Sequence, residues 1–193
     1  AKVAGIGGNA LVAERYLQLA ETIAAPPPAR LTITFGLSGS GKTTASARLL
    51  RADPSATTLR LRSDVERKRL FGLTPLACSQ TRTDGSIYTA DSTRRTYAQL
   101  VEATGLMLDA GWSVVVDAAF LKRSERDNFR ALAASRGVRF AILACAAPVS
   151  ELQRRLQARR GDASEATVEV LEKQLGWIQP LGSDEPERVI PPA

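Results

Sequence analysis

Apolar residues along the chain recur at two different spacings, and the spacing distinguishes helices from strands. An apolar residue at every third or fourth position is the period of a helix with one buried face. This period predicts helices over residues 11–24, 43–51, 63–71, 91–111, 124–137, 149–160 and 164–175. Short runs rich in Val, Ile and Thr, continuous or alternating, predict strands instead. They cover residues 31–35, 57–61, 112–120, 138–146 and 187–190.

The order of these elements indicates the fold class. Strands that alternate with helices, and that are apolar on both faces, are typical of a parallel sheet covered by helices on both sides. We therefore expect a three-layer α/β sandwich. Two serines, Ser63 and Ser124, are placed to cap helices at their N-termini, and two glycines, Gly111 and Gly137, are placed to end helices.

The N-terminal stretch is predicted to stand apart from this sandwich. An apolar face runs along the first predicted helix and contains Leu11, Tyr16, Leu17, Ala20 and Ile23. The proline-rich stretch AAPPPAR ends that helix and forms a stiff linker. We expect residues 1–29 to be the tail of a preceding, fused domain and residues 30–193 to form the main domain. A first residue that is Ala and not Met agrees with this expectation.

Composition limits the chemistry that the chain can perform. It contains no histidine, and its two cysteines, Cys78 and Cys145, are too few for a disulfide framework. The absence of histidine excludes Ser-His-Asp and Cys-His mechanisms, so an enzyme of this composition works with carboxylates, cations and a hard metal ion. No apolar stretch is long enough to span a bilayer, and we expect a cytoplasmic protein without a membrane partner. The net charge of +6 indicates either a phosphate-rich partner or arginines on solvated faces.

Residues 36–43 read GLSGSGKT and match G-x-x-x-x-G-K-[ST], the phosphate-binding loop of many nucleotide-binding proteins. Glycines let backbone N–H groups turn inward around an anion, and the following helix points its positive end at the same place. Lys42 is predicted to bridge the β- and γ-phosphates of ATP, and the hydroxyl of Thr43 to bind Mg²⁺. The predicted nucleotide contacts are Gly36, Leu37, Ser38, Gly39, Ser40, Gly41, Lys42, Thr43 and Thr44.

Two acids follow predicted strands, at the sheet edge where the nucleotide would lie. Asp117 is expected to hold Mg²⁺ directly or through water. Asp64 is the candidate general base for a hydroxyl acceptor, and Arg67, one helical turn later, would grip a substrate phosphate or orient Asp64. Each acid alone would be an ordinary helix-end residue. Asp117 is followed by Ala118, where water-splitting ATPases commonly have Glu, and no N-K-x-D guanine motif is present, so transfer to a hydroxyl is favoured.

An arginine-rich stretch is predicted to form a lid over residues 150–166, hinged at Gly161. Its arginines are Arg154, Arg155, Arg159 and Arg160. Arg155 and Arg159 are spaced to share a helical face and would stabilise charge on the transferred phosphoryl group; the alternative is a solvated basic helix paired with Glu151. The irregular stretch 72–90 and the helix after it would bind the acceptor. The residues expected there are Arg82, Tyr88, Arg94, Arg95, Tyr97 and Phe120.

The segments GLSGSGKTT, LRSDVERKR, VVVDAAF and the arginine-rich stretch before GDASEA resemble the adenylate-kinase-like P-loop kinases, near polynucleotide 5′-hydroxyl kinases and gluconate kinases. Residues 34–175 also resemble the ATP-binding domain that follows an aminoglycoside-phosphotransferase-like domain in some bacterial proteins. The resemblance implies a five-stranded parallel sheet, order 2-3-1-4-5, with a helical lid. In polynucleotide kinases an Asp-x-x-Arg supplies the base and a phosphate contact, and Asp64 to Arg67 match it; a similar Asp serves other acceptors in the zeta-toxin group.

Two hypotheses follow for the function. The first is a kinase that uses ATP and Mg²⁺ and transfers the γ-phosphoryl group to a hydroxyl of a small molecule or of a nucleic-acid 5′-end. The second is an ATP-binding regulatory module of a larger fused protein, with little or no transfer. Replacing Asp64 by Asn distinguishes them, because a kinase would lose transfer and keep ATP binding. The residues leave open which hydroxyl is the acceptor and whether GTP replaces ATP.

Overall fold

The computed structural model of the chain describes residues 10–77, 79, 87–159 and 161–190, and for residues 187–190 the backbone alone. The described helices are α1 (Ala10–Ala24), α2 (Lys42–Arg51), α3 (Ser63–Leu70), α4 (Ala90–Asp109), α5 (Arg123–Ser135), α6 (Val149–Ala158) and α7 (Val168–Trp177). The described strands are β1 (Arg30–Phe35), β2 (Thr58–Arg62), β3 (Ser113–Asp117), β4 (Arg139–Cys145) and β5 (Glu187–Ile190).

The five strands form one parallel sheet in the order β2-β3-β1-β4-β5. This confirms the predicted fold class and strand order. Strands β1, β3 and β4 lie inside the sheet, and Leu31, Ile33, Val116 and Ile142 are fully shielded from solvent. Their branched side chains suit a strand that is covered on both faces. Because all strands run in the same direction, the loops that follow them meet at one edge of the sheet.

Several predicted boundaries are wrong by a few residues, for local reasons. Ser63 is the first residue of α3 and does not cap it, because β2 leads directly into the helix and the extended Arg62 occupies the N-cap position. Ser124 lies inside α5, whose N-cap is Lys122; there Glu125 accepts the Lys122 N–H, as an acid at the third helical position often does. Gly137 has a positive φ of 62° directly after α5, as predicted for a helix-ending glycine.

The largest boundary error concerns α7, which begins at Val168 and not at residue 164. The residues before it hold side chains of α3 in place, so they are drawn out of the helix. The predicted third strand is also shorter, since the chain leaves the sheet after Asp117 and Phe120 adopts a positive φ of 49°.

Helix α1 presents its apolar residues to solvent and contains no buried residue. Leu11 is 74% exposed and Ile23 is 64% exposed. The assignment of residues 1–29 to the tail of a preceding domain stays a prediction, and residues 1–9 lie outside the described part of the chain. Among the described helices, none has the length and apolar character needed to cross a membrane.

Candidate active site

A cavity of about 870 Å³ lies at the edge of the sheet where the strands end. It is bounded by the glycine-rich loop after β1, the start of α3 and the loop after β3. Helices α6 and α7 close the opposite side. Parallel α/β sheets bind ligands at this edge, between loops that leave the sheet toward opposite faces. The predicted loop, both predicted acids and Arg67, Arg155 and Arg159 line this one cavity.

The glycines of the loop are required by its backbone. Gly36 has a φ of 145°, and a Cβ there would lie 2.2 Å from the carbonyl oxygen of Cys145. Gly39 has a φ of 85°, and its Cβ would lie 3.0 Å from the carbonyl oxygen of Leu152 in α6. Gly41 is left-handed as well, with a φ of 91°, and is the N-cap of α2. Left-handed residues between β1 and α2 let the loop close around an anion.

Lys42 lies at the mouth of this loop. Its ammonium donates to the carbonyl oxygens of Gly36 and Leu37, each at 2.8 Å. Burial lowers the pKa of Lys42, and the nearby charge of Asp117 partly opposes that shift. The hydroxyl of Ser40 is buried inside the loop and has no hydrogen-bond partner among the described residues. A closed cradle that holds a cation and an unpartnered hydroxyl fits a phosphate group.

The residues present also fit a magnesium ion. Asp117 ends β3 with only 4% of its side chain exposed, and Ser46 of α2 donates a hydrogen bond to it at 3.2 Å. Thr43 opens α2 directly opposite. Between them lies Arg62, with its Nε 3.6 Å from Asp117 Oδ2 and its Nη2 3.5 Å from the hydroxyl of Thr43. Hydroxyl and carboxylate oxygens are the ligands that Mg²⁺ prefers, and a cation already lies between these two groups.

Sequence reasoning missed Arg62, although the chain carries a signal for it. The alternation TLRLR places Arg60 and Arg62 on one face of β2, and Arg60 does contact α2 through the carbonyl oxygen of Thr43 at 3.2 Å. The register of the sheet pairs Arg62 with Asp117 across β2 and β3. A parallel sheet with β2 beside β3 therefore brings the two residues together.

Asp64 lies in the first turn of α3, and its carboxyl borders the cavity. Burial raises the pKa of Asp64, while a hydrogen bond from Ser164 and the charges of Arg67 and Lys42 act in the opposite direction. Arg67 is 7% exposed and donates to Ile87 O, Ser92 Oγ and Thr93 Oγ1. Its Nε is left without a partner among the described residues. A carboxyl with a raised pKa beside a cation is suited to accept a proton.

The lid arginines differ in position. Arg155, in α6, donates to Glu151 at 2.6 Å and to the carbonyl oxygen of Gly39 at 3.3 Å, so it contacts the glycine-rich loop directly. Arg154 is 72% exposed and pairs with Glu151. Arg159 is the C-cap of α6 with an extended backbone, and its charge lowers the pKa of Lys42. The shared helical face of Arg155 and Arg159 is therefore wrong, and Arg160 lies outside the described residues.

Residues 161–167, here named the strap, cross from α6 to α7 over α3. Asp162 pairs with Arg62 at 2.7 Å, and Glu165 pairs with Lys68 at 2.8 Å. Ser164, between these two acids, bonds to Asp64. Gln174 in α7 adds a contact on the loop side, since its Oε1 accepts the N–H of Ser38 at 2.8 Å. Nothing in the sequence pattern predicted the strap contacts or Gln174, because both depend on side chains that are far apart in the chain.

The acceptor side of the cavity matches the prediction in part. Tyr88 and Tyr97 line it. Phe120 does not: it is fully buried and stacks edge-on between Tyr97 and Phe129, because its left-handed backbone turns the ring into the core. Arg94 pairs with Asp91 on the surface, and Arg95 lies over the ring of Phe71, so neither lines the cavity. Arg82 and most of the stretch 78–86 lie outside the described residues.

Comparison with known proteins places the chain among P-loop domains. Residues 31–181 match the family AAA_33, described as an AAA domain. No curated protein matches the chain. A sugar kinase from Janibacter sp. HTCC2649, solved without ligand, has a TM-score of 0.61 and 22% identity, covering 84% of this chain and 85% of that one. A gluconokinase from Sinorhizobium meliloti 1021 has a TM-score of 0.57 and 21% identity, covering 84% and 82%.

Kti12 of Chaetomium thermophilum, solved with ADP-AlF3, has a TM-score of 0.62 and 16% identity, covering 83% of this chain and 88% of that one. At such identities the likeness shows a shared fold. The predicted resemblance to adenylate-kinase-like P-loop kinases is thereby confirmed for the family and the fold.

Proposed function

The chain belongs to the AAA_33 family of AAA domains, and from that premise we propose that it is a kinase dependent on ATP and Mg²⁺. It transfers the γ-phosphoryl group to a hydroxyl of a small molecule or of a nucleic-acid 5′-end. One observation carries the proposal: the phosphate cradle and the partly buried carboxyl of Asp64 border the same cavity, with the ammonium of Lys42 close enough to act on that carboxyl. Sugar and gluconate kinases of the same fold add support.

In this proposal the loop binds the phosphate chain. The backbone N–H groups of residues 38–43 and the N-terminus of α2 hold the β-phosphate, and Lys42 moves from its carbonyl partners to the γ-phosphate. The hydroxyl of Thr43 and the carboxylate of Asp117 hold Mg²⁺, which supplies charge neutralisation on the phosphate oxygens. Arg155, already at the loop, adds positive charge beside the group in transfer.

Asp64 acts on the acceptor. It accepts the proton of the attacking hydroxyl as the new oxygen–phosphorus bond forms, and its raised pKa makes it a stronger base than an exposed carboxylate. Arg67 keeps Asp64 oriented and holds the carboxylate in a charged environment. Tyr88 and Tyr97 form part of the wall against which the acceptor lies. Closure of α6 over the loop excludes water, which would otherwise compete with the acceptor.

The test is an ATP-consumption screen with sugars, sugar acids and 5′-hydroxyl oligonucleotides, read as ADP release. Lys42→Ala is the blank. Asp64→Asn is expected to lose at least two orders of magnitude in transfer, the usual contribution of a general base, and to keep nucleotide binding in a calorimetric titration. Asp91→Asn is the matched control, because Asp91 is an exposed acid on α4 that does not line the cavity.

Two results would contradict the proposal. Acceptor-stimulated turnover that is unchanged in Asp64→Asn would remove the base from the mechanism. ATP binding without turnover on any acceptor would instead favour the regulatory module, whose effect on a fused partner would be indifferent to Asp64→Asn.

A further inference from the structure

The strap holds Ser164 between two ion-paired neighbours. On one side Asp162 Oδ1 lies 2.7 Å from Arg62 Nη2. On the other side Glu165 Oε1 lies 2.8 Å from the ammonium of Lys68, a side chain that is 1% exposed. The same carboxylate accepts hydrogen bonds from the backbone N–H and the hydroxyl of Ser79. Ser164 is therefore fixed in position by contacts on both sides, unlike a serine on a free surface loop.

The surroundings of Ser164 are those that an acceptor hydroxyl needs. Its hydroxyl bonds to the carboxyl of Asp64, the proposed base. It lines the same cavity as Lys42 and the glycine-rich loop. The charges of Asp64 and Lys42 each act on the other's pKa, so the base and the γ-phosphate ligand are neighbours. A hydroxyl in contact with the base and facing the phosphate site is arranged for in-line attack.

Other hydroxyls of the cavity do not share this arrangement. Thr93 donates to the carbonyl oxygen of Thr89 and accepts from Arg67, so its hydroxyl is occupied away from the base. Thr43 lies at the metal position opposite Asp117. Ser40 is enclosed in the loop itself. Among the described serines and threonines, Ser164 is the one whose side chain bonds to Asp64.

We infer that Ser164 is an internal phosphoryl acceptor, so that the protein phosphorylates itself at this residue in the absence of an external hydroxyl. The inference rests on the proposed kinase function. Ser164 Oγ attacks the γ-phosphorus of ATP, an Oγ–P bond forms, and the bond from that phosphorus to the β,γ-bridging oxygen breaks. The hydroxyl proton goes to Asp64, and ADP leaves with the electron pair of the broken bond. The product carries a phosphoserine on the strap, between Asp162 and Glu165.

The experiment incubates the purified full chain with Mg²⁺ and ATP without acceptor and measures intact mass, followed by peptide mapping. The wild-type protein is expected to gain one phosphoryl group, on the peptide that contains Ser164. Ser164→Ala, Asp64→Asn and Lys42→Ala are expected to gain none. Thr167→Ala is the matched control, since Thr167 is a hydroxyl three residues further along that does not line the cavity, and it is expected to behave as wild type.

The kinetics provide a second readout. Attack within one molecule has a rate constant that does not change with protein concentration, whereas a contaminating kinase or transfer between molecules gives a rate that changes on dilution. Calorimetric titration with ATP and Mg²⁺ shows that Ser164→Ala and Asp64→Asn are folded and bind nucleotide, so that a missing mass gain in these variants is a loss of transfer.

Failure of this inference is distinguishable from failure of the proposed function. A wild-type protein that binds ATP and phosphorylates an external acceptor, but gains no mass, overturns the inference alone. A gain at another residue, or an equal gain in Ser164→Ala or Asp64→Asn, also overturns it. A wild-type protein that binds no nucleotide overturns both.

Discussion

Two neighbouring acids near the C-terminus, Asp184 and Glu185, pair with arginines of α5 in the same way but at different depths. Glu185 accepts two hydrogen bonds from Arg126, at 2.7 and 3.0 Å, and the two side chains are 0% and 1% exposed. Asp184 accepts two from Arg123, at 3.0 and 2.6 Å, and these side chains are 55% and 41% exposed. The pairs therefore provide a matched comparison of burial.

We predict that Glu185→Gln strongly destabilises the protein and that Asp184→Asn does so far less. Glu185→Gln keeps the size of the side chain and leaves the guanidinium of Arg126 buried without a counter-charge, which costs about 3–5 kcal/mol. For a domain of this size each kcal/mol lowers Tm by about 2–4 °C, so a fall of roughly 6–20 °C is expected. The pKa of Asp184 is depressed to about 2 by its bonds with Arg123, yet water screens that pair and most of its charge interaction is lost.

The assay is thermal unfolding at pH 7 without nucleotide, followed by circular dichroism, with urea unfolding as a second measure. Arg126 also donates to the carbonyl oxygen of Phe120 at 3.0 Å, in the loop that follows Asp117, so Glu185→Gln is expected to weaken ATP binding as well. Equal losses of Tm in the two variants would refute the reasoning, because depth of burial is the main difference between the pairs.

Three further predictions concern the cavity. Gly36→Ala should abolish ATP binding in a calorimetric titration, since its Cβ would lie 2.2 Å from a backbone oxygen, whereas Gly111→Ala meets no atom within 4 Å and should bind normally. Asp64→Asn should raise Tm at pH 7, because burial raises the pKa of Asp64 and its charge therefore destabilises the fold; a lower Tm would contradict this. Burial opposes the ionisation of Glu165, but its bonds with Lys68 and Ser79 outweigh it and lower its pKa. Its stabilisation is then present above pH about 4.3 and lost as pH falls through the lowered pKa, so Glu165→Gln should flatten the acid limb of a plot of Tm against pH.

The parts of the molecule that depend on local pattern were predictable from the chain. Continuous apolar runs such as residues 31–35 have one stable placement, inside a covered sheet, and the glycines of residues 36–41 have backbone angles that few other residues adopt. Asp64 and Asp117 follow from the same rule, because residues just after parallel strands gather at one edge.

The parts that depend on distant side chains were not. Phe120 was expected at the acceptor wall because aromatic residues bind substrates, but one left-handed residue turns its ring into the core. Residues 164–167 were assigned to a helix because their composition suits one. Their contacts with Asp64 and Lys68, about one hundred positions away in the chain, hold them in an extended path instead.

Each group that the cavity reserves for a ligand already has a partner from the protein itself. Arg62 lies between Asp117 and Thr43, where Mg²⁺ is proposed to bind. Gln174 accepts the N–H of Ser38, which faces the phosphate cradle, and Ser164 bonds to Asp64 in the place of an acceptor. Buried polar groups are costly to leave unpaired, so these internal partners stabilise the cavity without nucleotide. Nucleotide binding must exchange them, and the observed affinity is then the difference between two satisfied sets of contacts. Because Asp162, Ser164 and Gln174 all belong to the strap and α7, the exchange couples nucleotide binding to movement of this one segment.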